Sequence, residues 1–252
     1  MQQLQLVQKG HRQYMEAAKN YVVFAGKNLK DFGLVFSGTG THGAPLRDYS
    51  TVAIPGKNGE LYIDNGRYMN IKTTYHVGVK KPVARNLRDL RNFLGSVTGY
   101  QRLEDSYHPE VFRLAMLSKE ISPEVSVRGR IGELDLEFNC KPQRFLKTGE
   151  EETEYASGSV IYNNTMMKAL PLIRVYGTGA LAIGNETITI NSANGYTDID
   201  CDLMDAYKGS TNCNGNITLT SGEFFHLDPG ENGISFGSGI TRVIVKPRWW
   251  ML

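Results

Sequence analysis

Short runs of alternating apolar and polar residues, separated by turn residues, recur along most of the chain. Val52–Ile54 and Leu61–Ile63 flank a Gly-Lys-Asn-Gly segment, and an Asn-Gly pair between apolar runs is typical of a β-hairpin. Leu181–Ile183 and Thr187–Ile190 flank a Gly-Asn turn in the same way. Strands spaced about 8–12 residues apart predict a mainly β protein, built as a sandwich or barrel.

Further turn and strand signals follow the same pattern. Val125–Arg130 and Leu134–Phe138 alternate apolar and polar residues on either side of a glycine. Other Asn-Gly pairs predict additional turns, at Asn65-Gly66, Asn194-Gly195, Asn214-Gly215 and Asn232-Gly233.

One segment has the period of a helix instead of a strand. Pro82 suits a first helical position and Gly95 suits a stop, and between them four apolar residues recur at steps of four, three and four: Val83, Leu87, Leu90 and Leu94. Arg85, Arg88 and Arg91 lie on another face of this helix. A basic stripe attracts phosphate, so nucleic acid is one interpretation, and a solvated face or a protein contact is the other.

Charge divides the 252-residue chain in two. Residues 1–148 carry 22 basic and 14 acidic side chains, and residues 149–252 carry 6 basic and 12 acidic ones. The change falls at an acidic run, Gly149–Glu154, which we interpret as a solvated linker. We therefore expect an N-terminal domain over 1–148, with residues 1–19 as an arm or short helix, and a C-terminal domain over 149–252.

The sequence contains no candidate membrane span, because no apolar run approaches the roughly 20 residues that a spanning helix needs. The N-terminus lacks the apolar stretch of a signal peptide, so we expect synthesis in a cytoplasm. Three cysteines without a CxxC pair disfavour a disulfide framework or a thiolate zinc site.

The sequence motifs that could carry chemistry are weak. Gly38–Gly43 fits G-x-G-x-x-G, but the proline that follows argues against the helix that a dinucleotide site needs. Asp198, Asp200 and Asp202 alternate as on a strand face, which we interpret as solvated because a calcium loop would need other residues at its sixth and twelfth positions. His226 lies near Asp228 without a nucleophile motif.

The remaining histidines are scattered, so no catalytic, cofactor-binding or metal site is predicted. The chain closes on Trp249 and Trp250, whose side chains point to opposite faces of a strand. At most one of them could join a sugar-stacking platform, and the preferred interpretation is a terminal strand anchored in a core.

Several strings resemble the distal tail protein (Dit) family of long-tailed, non-contractile phages. The longest is Gly99–Ala115, and the similarity runs from about Tyr21 to Leu252. The other strings, in chain order, are Arg47-Asp48 with Pro55–Leu61, Asn139–Phe145, Asn164-Thr165, Pro171, Gly177–Gly179, Leu227–Phe236 and Lys246–Trp250.

The resemblance implies a fold and an assembly. Dit proteins have an N-terminal β-barrel-like, tail-tube-like domain with one α-helix, followed by a galectin-like β-sandwich. They form a homo-hexameric ring at the phage tail tip that joins the major tail tube protein to the tail-associated hub protein and, in many phages, to receptor-binding proteins. DNA passes through the channel only as cargo.

The expected function is therefore structural and non-enzymatic, with no cofactor, and the expected location is the virion tail tip after synthesis in the bacterial host cytoplasm. Arg85, Arg88 and Arg91 become candidates for a subunit contact or for the lumen. A lectin-like adhesion module that recognises host-surface carbohydrate is the alternative function, and a cell-wall hydrolase ranks last.

Overall fold

The computed structural model describes residues 20–37, 43–125 and 132–252, which fold as two compact units. The first unit ends at Arg144 and also takes in Leu252, and the second comprises Phe145–Met251. The expected arm over residues 1–19, the loop over residues 38–42 of the G-x-G-x-x-G string and most of the expected strand Val125–Arg130 lie outside the described residues. The assignment of 1–148 and 149–252 as functional domains stays a prediction.

The first unit is built from strands and one long helix. A short 3-10 helix, Leu29–Phe32, follows the second strand, and the α-helix α1 covers Val83–Ser96. The strands are β1 (Val22–Phe24), β2 (Lys27–Asn28), β3 (Leu34–Phe36), β4 (Arg47–Ala53), β5 (Glu60–Tyr68), β6 (Ile71–Val79), β7 (Gln101–Asp105), β8 (Val111–Leu117), β9 (Glu124–Val125) and β10 (Gly132–Cys140).

Most of these strands form one curled, half-barrel sheet in the order β2-β1-β7-β8-β10-β6-β3. Its longest pairing joins β10 to β6, from Gly132 opposite Val79 to Cys140 opposite Ile71. Alternate residues of both strands are buried, as expected where one face of a sheet covers a core. Aromatic rings contribute to this core, and the centroids of Phe24 and Phe138 lie 4.8 Å apart.

Helix α1 closes the same core. Val83, Leu87, Leu90 and Leu94 are buried and belong to one cluster with the inward side chains of the sheet. Pro82 precedes the first helical residue, where its missing N–H costs nothing. The predicted helix and its apolar stripe are confirmed, but Pro82 is the residue before the helix and Gly95 lies inside its last turn, since the helix ends at Ser96.

The strands after β10 belong to the second unit, except for Arg144, the first residue of β11. This unit also has 3-10 helices at Lys147–Glu150 and Asn214–Asn216. The strands are β11 (Arg144–Leu146), β12 (Thr153–Tyr155), β13 (Val160–Asn163), β14 (Leu172–Gly177), β15 (Gly179–Ile183), β16 (Glu186–Ile190), β17 (Tyr196–Asp200), β18 (Asp205–Lys208), β19 (Thr211–Asn212), β20 (Ile217–Leu219), β21 (Gly230–Phe236), β22 (Ile240–Lys246) and β23 (Trp250–Met251).

Two sheets enclose the core of the second unit. One runs β12-β22-β14-β17-β18-β19, and the other runs β13-β21-β15-β16-β20. Ile173 and Val243 from the first sheet and Leu181 and Ile188 from the second are fully buried in one cluster. Because two sheets share one apolar core, this unit is a β-sandwich. The predicted fold class, mainly β with one α-helix, is confirmed.

Two expected turns are absent, because side chains form hydrogen bonds with the backbone beside the Asn-Gly pairs and the strands continue through them. Strand β5 continues through Asn65-Gly66 as a bulge, where Asp64 accepts a hydrogen bond from the Gly66 N–H at 2.8 Å. Asn232-Gly233 lies inside β21, where the buried Asn232 side chain bonds the Asp228 N–H and carbonyl at 2.9 Å each. These two expected turns are wrong.

The acidic run expected as a solvated linker is structured. Gly149 is buried in the 3-10 helix, and an added Cβ would overlap the Trp249 backbone nitrogen. Strand β12 follows, and it pairs with β22, where Glu154 meets Arg242 at 2.7 Å. The acidic run is therefore a 3-10 helix followed by an edge strand of the sandwich, and the prediction of a linker is wrong.

The aspartates of β17 are buried ion-pair partners, so the expectation of a solvated strand face is wrong. Asp198 accepts two hydrogen bonds from Arg174, at 2.6 and 2.9 Å. Asp200 accepts two from Arg248, at 2.7 and 2.8 Å, and also bonds the N–H groups of Asp202 and Leu203. A bidentate arginine makes carboxylate burial tolerable at the end of a strand.

Burial alone would raise the pKa of Asp200, but hydrogen bonds from Arg248 and from the backbone outweigh it and hold the pKa below its usual value. A lowered pKa in the folded state contributes stability above the unfolded-state pKa, and this contribution is lost as the pH falls through the folded value. The Asp200–Arg248 pair should therefore stabilise the fold at neutral pH and cease to do so in acid.

Asp200→Asn should lower the free energy of unfolding at pH 7 by about 2–3 kcal/mol, because Arg248 loses a charged partner. The difference from the wild type should shrink as the pH falls below about 4. Urea denaturation at pH 7 and pH 3 measures both values, with the exposed Asp202→Asn as control. A difference of equal size at both pH values would contradict this origin of the stability.

Among the described residues, no helix is both long and apolar enough to cross a membrane.

Candidate assembly surface

Strands β4 and β5 form a hairpin that pairs with no other strand of the described residues. Ala53 and Glu60 are the last paired residues before the turn, which contains two glycines with positive φ, Gly56 at 80° and Gly59 at 82°. Such φ angles favour glycine, so the Gly-Lys-Asn-Gly segment forms the turn that its sequence predicts. The predicted hairpin is confirmed, and its strands are longer than the two apolar runs from which it was predicted.

The two faces of this hairpin differ in chemistry. Directly opposite residues share a face, so the register joins Val52 to Leu61 and Ser50 to Ile63 on one side. On the other side Tyr49 and Tyr62 pack with ring centroids 5.0 Å apart. We call the side with Val52, Leu61 and Ile63 the apolar face of the hairpin. Those three side chains expose 44–51% of their surface.

Ion pairs brace the base of the hairpin. Arg47 meets Asp64 at 2.8 Å, and Arg67 meets Asp48 at 2.7 Å. The pKa of Asp64 is lowered by the Gly66 N–H and then by Arg47, and the pKa of Asp48 is lowered by Arg67 and then by Asn65. These pairs are exposed to solvent, so they fix the register of the hairpin more than they stabilise it.

A hairpin of this kind is incomplete by itself. Two isolated strands are marginally stable in water, and each outer edge presents unpaired N–H and C=O groups. The apolar face adds exposed side chains that a neighbour could bury. The combination of open edges and an uncovered apolar face is typical of a surface that meets another protein chain.

The arginines of α1 are also on the surface. Arg85 and Arg88 both pair with Asp89, at 3.7 and 3.3 Å, and their side chains are 73% and 69% exposed. Arg91 is exposed as well. The helix thus places the three predicted residues in solvent and leaves them accessible to a partner, and their role stays a prediction.

The aromatic residues of the sandwich that could stack on a sugar ring are packed inward or covered by cations in the two places described next. Trp249 and Trp250 both pack against the sandwich core, and the Trp250 indole donates to the Lys168 carbonyl at 2.9 Å. Tyr176 and Tyr196 lie on the outer face of the sandwich, but Arg242 covers the first ring at 5.5 Å and Arg174 covers the second at 4.5 Å. A sugar ring would have to displace these cations.

Besides Asp228, His226 has neighbours that sequence spacing did not reveal. Its Nε2 lies 3.4 Å from carboxylate oxygens of both Glu186 and Asp228, and Glu223 lies close by. Glu186 is on β16, remote in sequence from His226, so only the folding of the sandwich brings these groups together.

Comparison with solved structures identifies the fold. The crystal structure of SPP1 Dit (gp 19.1) superposes with a TM-score of 0.70, covering 92% of this chain and 99% of that chain at 13% sequence identity. The chain has the Dit fold. The SPP1 protein is described as a paradigm of the hub adsorption apparatus in phages that infect Gram-positive bacteria.

A second solved structure shares the Dit fold more loosely. A chain of the phage P2 baseplate, in its activated conformation with Ca, gives a TM-score of 0.51 over 90% of this chain and 97% of its own length, at 9% identity. No family model matches the sequence, and no curated protein matches it. The likeness therefore rests on the arrangement of strands and the helix.

Hydrogen exchange can test whether the hairpin depends on a neighbour. In dilute monomer, amides of β4 and β5 should exchange faster than those of β6 and β10, which are paired inside the sheet. On assembly the hairpin amides should slow by about ten-fold or more. Hairpin amides as slow as those of β6 in dilute monomer would contradict an incomplete hairpin.

Proposed function

We propose that this chain is a non-enzymatic structural subunit of a phage tail tip, a distal tail protein that forms a hexameric ring. In this function the ring connects the major tail tube protein to the tail-associated hub and to receptor-binding components, and DNA passes through its channel. The Dit fold, shared with a hub adsorption protein of SPP1, supports the proposal.

The observation that carries the proposal is the uncovered hairpin β4–β5. Its edges and apolar face need a partner, and a second copy of the same chain offers one at fixed stoichiometry. A hairpin that meets a different surface on the next copy makes a heterologous contact, and such contacts close into a ring when the rotation permits. The ring in turn buries what the monomer exposes.

The charge distribution is compatible with contacts between copies. Residues 1–148 have a balance of +8, and residues 149–252 have a balance of −6. Opposite net charges on two parts of one chain favour a contact between the basic part of one copy and the acidic part of the next over a contact between two identical parts. A basic N-terminal half also suits a channel that carries DNA.

Leu61→Asp should abolish the ring, because it puts a charge in the middle of the apolar face. Thr51→Asp adds the same charge to the opposite face and is the matched control, which should assemble more readily. Light scattering and negative-stain microscopy over a range of concentrations measure the outcome. A six-fold ring of the Leu61→Asp variant would remove the hairpin from the interface, and a wild type that stays monomeric at every concentration would contradict the ring.

Reversing Arg85, Arg88 and Arg91 together to Glu should weaken ring assembly or DNA passage, because the exposed cationic helix face becomes anionic. Replacing all three by Lys keeps the charge and should preserve both properties. Ring formation and infectivity in a complementation assay give the two readouts. Full assembly and full infectivity of the Glu variant would reject a role for these arginines.

The lectin-like alternative predicts a different set of results. A monomer in solution with a glycan-array signal, lost on changing Tyr176 or Tyr196, would favour carbohydrate recognition over ring assembly. Turnover of peptidoglycan would be needed for the hydrolase interpretation. Cations cover the Tyr176 and Tyr196 rings, so a sugar that stacks on either ring would have to displace an arginine.

A further inference from the structure

A cluster of metal-ligating side chains lies at one end of the five-stranded sheet of the sandwich. Glu186 begins β16, and Glu223 and His226 lie in the segment between β20 and β21. One ligand atom from each of the three lies within 4.8 Å of the other two. The proposed tail-tip function makes no use of this cluster.

Glu186 occupies a position that normally holds an apolar residue. It lies in the inward row of β16 with Ile188 and Ile190, and its side chain is only 9% exposed. Burying a carboxylate costs free energy unless a donor or a cation satisfies it. Among the described residues, His226 Nε2 approaches the Glu186 carboxylate at 3.4 Å.

The backbone holds His226 firmly. Phe225 and Leu227 on either side are fully buried, and Leu227 exchanges two hydrogen bonds with Ala169, at 2.9 and 3.0 Å. A ligand on an ordered segment needs little rearrangement to bind an ion. A bound ion would need the three ligand atoms to move closer together, because metal–ligand distances are near 2 Å. Glu223 is exposed, so its side chain has room to turn its carboxylate towards the ion.

The cluster also carries surplus negative charge. Three carboxylates, those of Glu186, Glu223 and Asp228, surround one imidazole, and Lys168 approaches only Asp228, at 3.4 Å. A divalent cation would balance this negative charge and bind the buried Glu186 carboxylate directly.

We propose that Glu186, Glu223 and His226 bind one divalent transition-metal ion of the zinc class. Imidazole nitrogen combined with carboxylate oxygen is the donor set of such ions, whereas calcium and magnesium prefer oxygen alone. The ion would join the segment that carries Glu223 and His226 to the start of β16. Its role would be structural, because it closes one end of the sandwich.

Isothermal titration of ZnCl2 into the full chain, stripped with EDTA and dialysed, tests the site. The wild type should bind one Zn²⁺ per chain and melt at a higher temperature with zinc. Glu186→Gln and His226→Gln should each weaken binding by about ten-fold or more. Glu231→Gln, an exposed glutamate on β21 outside the cluster, is the matched control and should bind like the wild type.

Co²⁺ in place of Zn²⁺ gives a second readout that does not depend on stability, because its visible spectrum changes when protein ligands replace water. Glu223→Gln changes an exposed residue and should not disturb folding. It therefore tests the site even where Glu186→Gln does not fold. Equal zinc affinity in the wild type and the cluster variants would overturn the site. Stabilisation by Ca²⁺ but not by Zn²⁺, or no metal binding at all, would also overturn it.

Discussion

A β-sheet must close, cover or pair its edges and faces, and this constraint organises the whole chain. In the second unit two sheets bury their inner faces against each other. In the first unit the sheet curls, and the leucine stripe of α1 packs into the same core. The hairpin β4–β5 satisfies neither solution, since no other described strand pairs with its edges and one of its faces is exposed and apolar. Among the described residues, this hairpin is therefore the part of the strand structure that lacks a covering layer.

Periodicity predicted the elements well where burial is one-sided. The stripe from Val83 to Leu94 gave the helix because only a 3.6-residue period brings those four side chains to one face. Hairpins β4–β5 and β15–β16 followed from turn chemistry, since their glycines take the conformations that the turns require. Local pattern was sufficient in these places because no distant residue changes the outcome.

Prediction failed where a side chain from elsewhere changes the meaning of a local string. Asn232-Gly233 is typical of a turn, but the Asn232 side-chain amide donates hydrogen bonds to the Asp228 and Ile161 carbonyls, and the strand continues. Asp198 and Asp200 alternate like a solvated face, yet Arg174 on the neighbouring strand pairs with Asp198, and Arg248, which follows β22, pairs with Asp200. Glu186 and His226 meet only after the sandwich folds. No spacing rule along the chain could expose such pairings, because they are set by strand order.

The two candidate sites belong to different units and rest on different physics. The proposed contact of the hairpin in the first unit depends on covering its apolar surface and pairing its free backbone groups. Such a contact does not require side chains to be placed to within an ångström. The Glu186–His226 cluster in the second unit depends on a few atoms within ångströms and on charge neutralisation. A metal ion bound within the sandwich would stiffen that unit without changing the hairpin. Loss of one property should then leave the other intact.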